Sequence, residues 1–190
     1  TTTLAFQLGN GFRVEELPHP TILNAADTTL FKGEIDLEGL SEALAGEHAD
    51  DIAMVGIEAL SNAAGGAPVR LSHLRELRSR LAGSGIPLVL DATRIVRNAA
   101  LIKSHEPGLP DREIWGLVRE TLSSADHVVA SLAKDFATSQ GGLIATDDEE
   151  LARSVSSLIA EGGFESEGGT PLSDPGWKAP VIPDLDLALS

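Results

Sequence analysis

The 190-residue chain is 42% hydrophobic and 23% charged, with no cysteine, no tyrosine and a formal net charge of -15. These totals exclude a disulfide framework, a thiolate metal site and any mechanism in this chain that needs a phenol. They also argue against nucleic acid or an anionic membrane as partner, because phosphate contacts need a basic face. No window approaches the roughly 20 apolar residues of a membrane span, and the first residues lack the basic and apolar regions of a signal peptide. The expectation is a cytoplasmic globular protein of one domain's size.

Thr1 to Phe6 lean towards strand, and residues 7–30 read as a loop or hairpin excursion punctuated by Gly9, Gly11, Pro18 and Pro20. Asp36 precedes Leu37, Leu40 and Leu44, the spacing of an aspartate-capped helix. The apolar run Ile52 to Leu60 predicts a strand buried on both faces. After a loop to Pro68, leucines at 71, 74, 77 and 81 predict a helix over Val69 to Leu81 with a buried stripe, closed by Gly83. Ile86 to Leu90 is the next strand, and Asp91-Ala92-Thr93-Arg94 leads from it into a helix through Ile95, Ala99 and Ile102.

Pro110 and Asp111 are expected to open a further helix through Ile114, Leu117 and Leu122. Strands Val128 to Leu132 and Leu143 to Ala145 follow. Thr146 with Glu149 forms a capping-box pattern ahead of a last helix through Leu151, Val155 and Leu158. The alternation predicts an α/β fold, three-layer α/β/α with a mostly parallel sheet. Residues 1–165 would form its core, and 166–190 a tail or linker rich in proline and glycine.

In open α/β sheets, ligands sit beyond the carboxyl ends of the strands. Those ends carry Asn62, then Asp91 and Arg94, then Ser131 and Lys134. An amine, a carboxylate, a guanidinium, an amide and a hydroxyl converging there suit pyridoxal 5'-phosphate. The lysine would form the Schiff base, and the aspartate would keep the pyridine nitrogen protonated. By position alone Lys134 reads as a surface charge, Asp91 as a helix cap, Arg94 as half of a surface pair and Asn62 as a turn residue. His73 and His105 read as surface residues of amphipathic helices. His19 and His127 have no supporting motif.

Several segments in order, Phe31-Lys32-Gly33-Glu34-Ile35-Asp36-Leu37, Asn62 to Pro68, Asp91-Ala92-Thr93-Arg94 with Asn98-Ala99, Ser131-Leu132-Ala133-Lys134-Asp135 and Gly141-Gly142, resemble the tryptophanase and tyrosine phenol-lyase family. The resemblance covers roughly residues 1–165. It implies the large domain of a fold-type I, pyridoxal-phosphate-dependent β-eliminating lyase, with a site formed in a homodimer. It also implies that Lys134 carries the cofactor, buried beside the cationic ring, and that Asp91 partners the pyridinium. Asn62 and Arg94 would contact the phenolic oxygen, Ser131 the phosphate, and Thr1 would lie near the ring.

The sequence departs from the pattern at Ala133, where the family has a second lysine. It departs again at Ser139, in place of a cation-binding asparagine, and at Leu4, Ala5 and Phe6. The ring-stacking aromatic and phosphate cup would precede Thr1, and the tail does not resemble the family's small domain. Shortened relatives of this kind are cysteine-lyase domains of modular polyketide synthases. The expected substrate is therefore a cysteine-type amino acid or acyl-cysteine adduct, carried on a carrier protein in such a setting, with cleavage of a carbon-sulfur bond. The alternatives are carbon-carbon lysis as in the parent enzymes, and a non-catalytic dimerisation or docking domain.

Overall fold

The computed structural model describes residues 7–139 and 141–161. In chain order its elements are helix α1 (Leu37–Ala45), strand β1 (Val55–Glu58), the short strands β2 (Leu60–Ser61) and β3 (Ala67–Pro68), and helix α2 (Leu71–Leu81). Strand β4 (Leu88–Asp91), helices α3 (Ile95–His105) and α4 (Ile114–Leu122), strands β5 (His127–Ser131) and β6 (Gly142–Thr146) and helix α5 (Glu149–Glu161) follow.

The sheet has the order β1-β4-β5-β6. Its first three strands are parallel, with Ile57 opposite Leu90 and Leu90 opposite Val128, and β6 closes it antiparallel to β5. This is the expected α/β arrangement with a mostly parallel sheet. Leu88 and Leu90 of β4 are buried while Val89 and Asp91 are half-buried, the period of two that sends alternate side chains to opposite faces. Leu71, Leu74, Leu77 and Leu81 of α2 are all buried, as their spacing requires, and join Ile95, Ala99 and Ile102 of α3 in one core.

Three element boundaries and one side chain differ from the sequence reading. The run Ile52 to Leu60 is not one strand. Pairing with β4 ends at Glu58, and Leu60 and Ser61 pair back onto Pro68 and Ala67 across a turn in which Gly65 and Gly66 take positive φ. Helix α4 starts at Ile114 rather than at Pro110 and Asp111, because the preceding residues form a turn that buries Leu109. Helix α5 is capped by Asp148, whose Oδ1 accepts from Glu150 N at 2.9 Å and Leu151 N at 3.0 Å. Thr146 instead accepts from Asp148 N and pairs with His127 Nδ1. Leu158 of that helix is exposed rather than part of the core. Asp36 caps α1 as expected, accepting from Glu38 and Gly39. The boundary of the tail at residue 166 lies outside the described residues.

His73 is the clearest correction: it is buried, not on the surface. Its Nε2 accepts from Ile35 N and its Nδ1 lies 3.6 Å from Glu34 Oε2. Glu34, itself buried, is held by both Nε and Nη2 of Arg70 at 2.6 Å, and that guanidinium stacks on Phe31. His105 is exposed, as expected.

Desolvation pushes the His73 imidazole below its ordinary value, against the opposing pull of Glu34. A depressed base favours the folded state above its unfolded value of about 6.5 and withdraws that stability as pH falls below it, since the unfolded chain then binds the proton first. The urea midpoint of the wild type should therefore fall more between pH 7.5 and 5.5 than that of His73→Gln. Equal falls would show that His73 does not titrate against folding.

Candidate cofactor site

Asp91 is the last residue of β4, set by register between Glu58 of β1 and Val129 of β5. Its Oδ1 accepts from Thr93 N at 2.9 Å, the local bond by which an aspartate closes its own turn. Its Oδ2 accepts no hydrogen bond from the described residues. The same turn is tied to the neighbouring strand twice: Ala92 N donates to Val129 O at 2.7 Å, and Ser131 N donates to Thr93 Oγ1 at 2.9 Å. The Ser131 hydroxyl has no partner among the described residues.

Arg94 follows as the N-cap of α3, and its Nη1 donates to Asn62 Oδ1 in the turn between β2 and β3. Asn62 N in turn donates to Glu58 Oε2. The β2–β3 hairpin is held against α3 by Asn98, which is fully buried and accepts from Val69 N at 2.9 Å. An open groove lined by Leu60, Asn62, Gly66, Arg94, Arg97 and Leu101 runs beside this contact.

Lys134 lies three residues beyond β5, in a loop closed by Ala137 N donating to Lys134 O and Thr138 N donating to Leu132 O. Ala137 sits at φ +51°, a left-handed conformation rare for alanine that turns the chain back towards β6. The Lys134 side chain is exposed and its amine has no partner among the described residues, so the expected burial of this amine is not met by these residues. Next to it, the side chain of Asp135 is buried, with only 2% of it exposed. Its Oδ2 accepts from Arg97 N at 3.0 Å, and Oδ1 lies 3.4 Å from Arg97 Nε.

The structure thus brings Asn62, Asp91, Arg94, Ser131 and Lys134 to the carboxyl edge of three adjacent parallel strands. Thr1 lies outside the described residues. Sequence reasoning gave no role to Thr93, Asn98 or Asp135, which make the bonds that hold the set together. The signal for Asp135 was present: α3 begins on an arginine, which has no acceptor for the helix's first amides. Among the described residues the set offers an unpaired amine, a carboxylate oxygen with no donor, a guanidinium-amide pair and an unengaged hydroxyl. Chemically it suits an aldehyde-bearing pyridine with a ring oxygen and a phosphate, so the residues present fit pyridoxal phosphate.

The family model described as Beta-eliminating lyase matches residues 1–169. The chain belongs to the beta-eliminating lyase family. Family members are pyridoxal-phosphate dependent, in agreement with the donor set. The chain is 39% identical to a tryptophanase of Salinibacter ruber over 140 residues, covering 73% of this chain and 30% of that protein. It is 35% identical to a tyrosine phenol-lyase of Clostridium tetani over 170 residues, covering 89% of this chain and 37% of that one. A probable tryptophanase of Aeropyrum pernix is 34% identical over 155 residues, covering 81% and 33%. The chain therefore spans about a third of the length of these curated relatives.

Thr93→Val removes the acceptor for Ser131 N while keeping shape. It should cost about 1–2 kcal/mol of unfolding free energy and speed hydrogen exchange at the Ser131 amide, leaving the Leu90 and Val128 amides unchanged. Unaltered exchange at Ser131 would contradict the tie between the β4 turn and β5.

Proposed function

We propose that this chain forms the cofactor-binding part of a lyase that eliminates a sulfur substituent from the β-carbon of cysteine or a cysteine adduct. The supporting observation is the gathering of Lys134, Asp91, Ser131 and the Arg94–Asn62 pair at one sheet edge. When bound, pyridoxal phosphate supplies an electron sink for negative charge developing at the substrate α-carbon.

The residues divide the remaining tasks. Lys134 would hold the cofactor through its amine, and its Nζ would serve as the base that takes the substrate α-proton. Asp91 Oδ2, which accepts no hydrogen bond from the described residues, would keep a proton on the ring nitrogen, and Oδ1, already committed to Thr93 N, fixes the carboxylate's direction. Arg94, steadied by Asn62, would hold the ring oxygen, and the Ser131 hydroxyl would bond the phosphate. Thr1 is assigned a place near the ring. For cysteine the balance is one water consumed, with pyruvate, ammonia and hydrogen sulfide released.

The leaving group is assigned from the chain's chemistry. A carbon leaving group must be protonated on carbon before it departs, and this chain has no tyrosine to supply that proton. A thiolate or persulfide departs without such help. The setting assigned to the chain is a homodimer within a polyketide synthase, with an acyl-cysteine-type substrate on a carrier protein. A second reading, carbon-carbon lysis, is favoured by the names of the relatives, tryptophanase and tyrosine phenol-lyase.

The test is pyruvate release from L-cysteine and S-substituted cysteines, set against L-tryptophan and L-tyrosine, by wild type and Lys134→Ala loaded with cofactor. Sulfur substrates should be turned over by the wild type alone. Release from tryptophan or tyrosine in preference would replace the sulfur assignment with the second reading. Cofactor binding in neither protein, with partner docking retained, would leave only a docking domain.

A further inference from the structure

We propose that Asp135 is a positioning residue for Lys134: it anchors the lysine loop to the first turn of α3, and so sets where the amine stands relative to Asp91 and Arg94. The inference rests on the reading of Lys134 as the cofactor lysine. Lys134 has four freely rotating side-chain bonds and no side-chain partner among the described residues, so only its backbone can place it. That backbone is pinned one residue later. The Asp135 carboxylate, 2% exposed, reaches out of the loop to accept Arg97 N at 3.0 Å.

Arg97 stands three residues into α3 from Arg94, whose own side chain offers no cap. The bond therefore satisfies a helix amide that has no local acceptor. It also ties the lysine loop to the helix that carries Arg94 and follows Asp91. Stability alone does not account for this residue. Its Oδ1 is buried without a hydrogen-bond partner among the described residues, a cost of about 1–3 kcal/mol for such a group that the 3.4 Å approach of Arg97 Nε only partly offsets. A cap chosen for stability would not bury that second oxygen.

The anchor is the acceptor at a fixed reach, not the negative charge. Asp135→Asn keeps both the acceptor and the reach. Asp135→Glu keeps acceptor and charge but adds a methylene, which lengthens the reach from the lysine loop to Arg97 N and so displaces the Lys134 backbone. Asp135→Ala removes the anchor.

The experiment incubates the 190-residue chain with limiting pyridoxal phosphate and reduces it with borohydride. The lysine amine condenses with the aldehyde with loss of water, and hydride fixes the carbon-nitrogen double bond as a stable secondary amine. Mass spectrometry then gives the ratio of label at Lys134 to label at Lys103, with circular dichroism confirming that each variant is folded. The wild type should label Lys134 in preference. Asp135→Ala should lower the ratio about tenfold or more, the scale on which small misplacements act. Asp135→Asn should stay within about threefold of wild type, and Asp135→Glu should fall below Asp135→Asn.

A wild-type ratio in Asp135→Ala would overturn the anchor while leaving the cofactor reading intact. If Asp135→Ala does not fold, the order of the other two decides: Asp135→Glu above Asp135→Asn would make the residue a source of charge and overturn the proposal. A wild-type chain unlabelled at Lys134 would instead overturn the cofactor reading beneath it.

Discussion

The first turn of helix α3 has backbone amides that its own N-cap cannot satisfy, because the N-cap is Arg94. A serine or aspartate there would cap the helix locally but would remove the guanidinium that contacts Asn62. The acceptor comes instead from Asp135, 38 residues further along the chain, in the loop that carries Lys134. One unsatisfied helix end thus couples two segments of the candidate site that lie 38 residues apart in sequence. Helix α2 shows the same device: it starts on Arg70, and its first amides are taken by the buried carboxylate of Glu106 at the end of α3, at 2.8 and 2.9 Å.

The sheet makes this economy possible. With β4 between β1 and β5, the turn after Asp91 is flanked by the ends of both neighbours. Thr93 reaches the β5 end through Ser131 N, and Arg94 reaches the hairpin that follows β1 through Asn62. Four consecutive residues, Asp91 to Arg94, therefore organise a site whose other members come from two loops. Those loops need only short tethers, since the parallel register already places their origins at one edge.

What could be read from the sequence follows from how local each determinant is. The strand-turn-helix around Asp91 was legible because its apolar periods and its polar turn are contiguous. The leucine stripe of α2 was legible for the same reason. Lys134 stood out only through resemblance to a family, since an exposed lysine beside an aspartate carries no distinguishing pattern of its own. The split of the Ile52–Leu60 run was hidden because it depends on Leu60 finding Pro68 across a glycine turn. His73 was misread because its burial depends on Glu34 and Ile35, far from it in sequence. The caps given by Glu106 and Asp135 are likewise contacts across more than 30 residues, which helical periodicity does not encode.

The central claim is that the β4 turn and the β5 loop present Asp91 and Lys134 to one pyridoxal phosphate molecule. The most direct measurement is a crystal structure of the chain soaked with that cofactor. The account predicts density continuous from the Lys134 amine to the aldehyde carbon, with the ring nitrogen within hydrogen-bond distance of Asp91 Oδ2 and the ring oxygen facing Arg94 and Asn62. Density joined to another lysine, or a ring nitrogen turned away from Asp91, would contradict it.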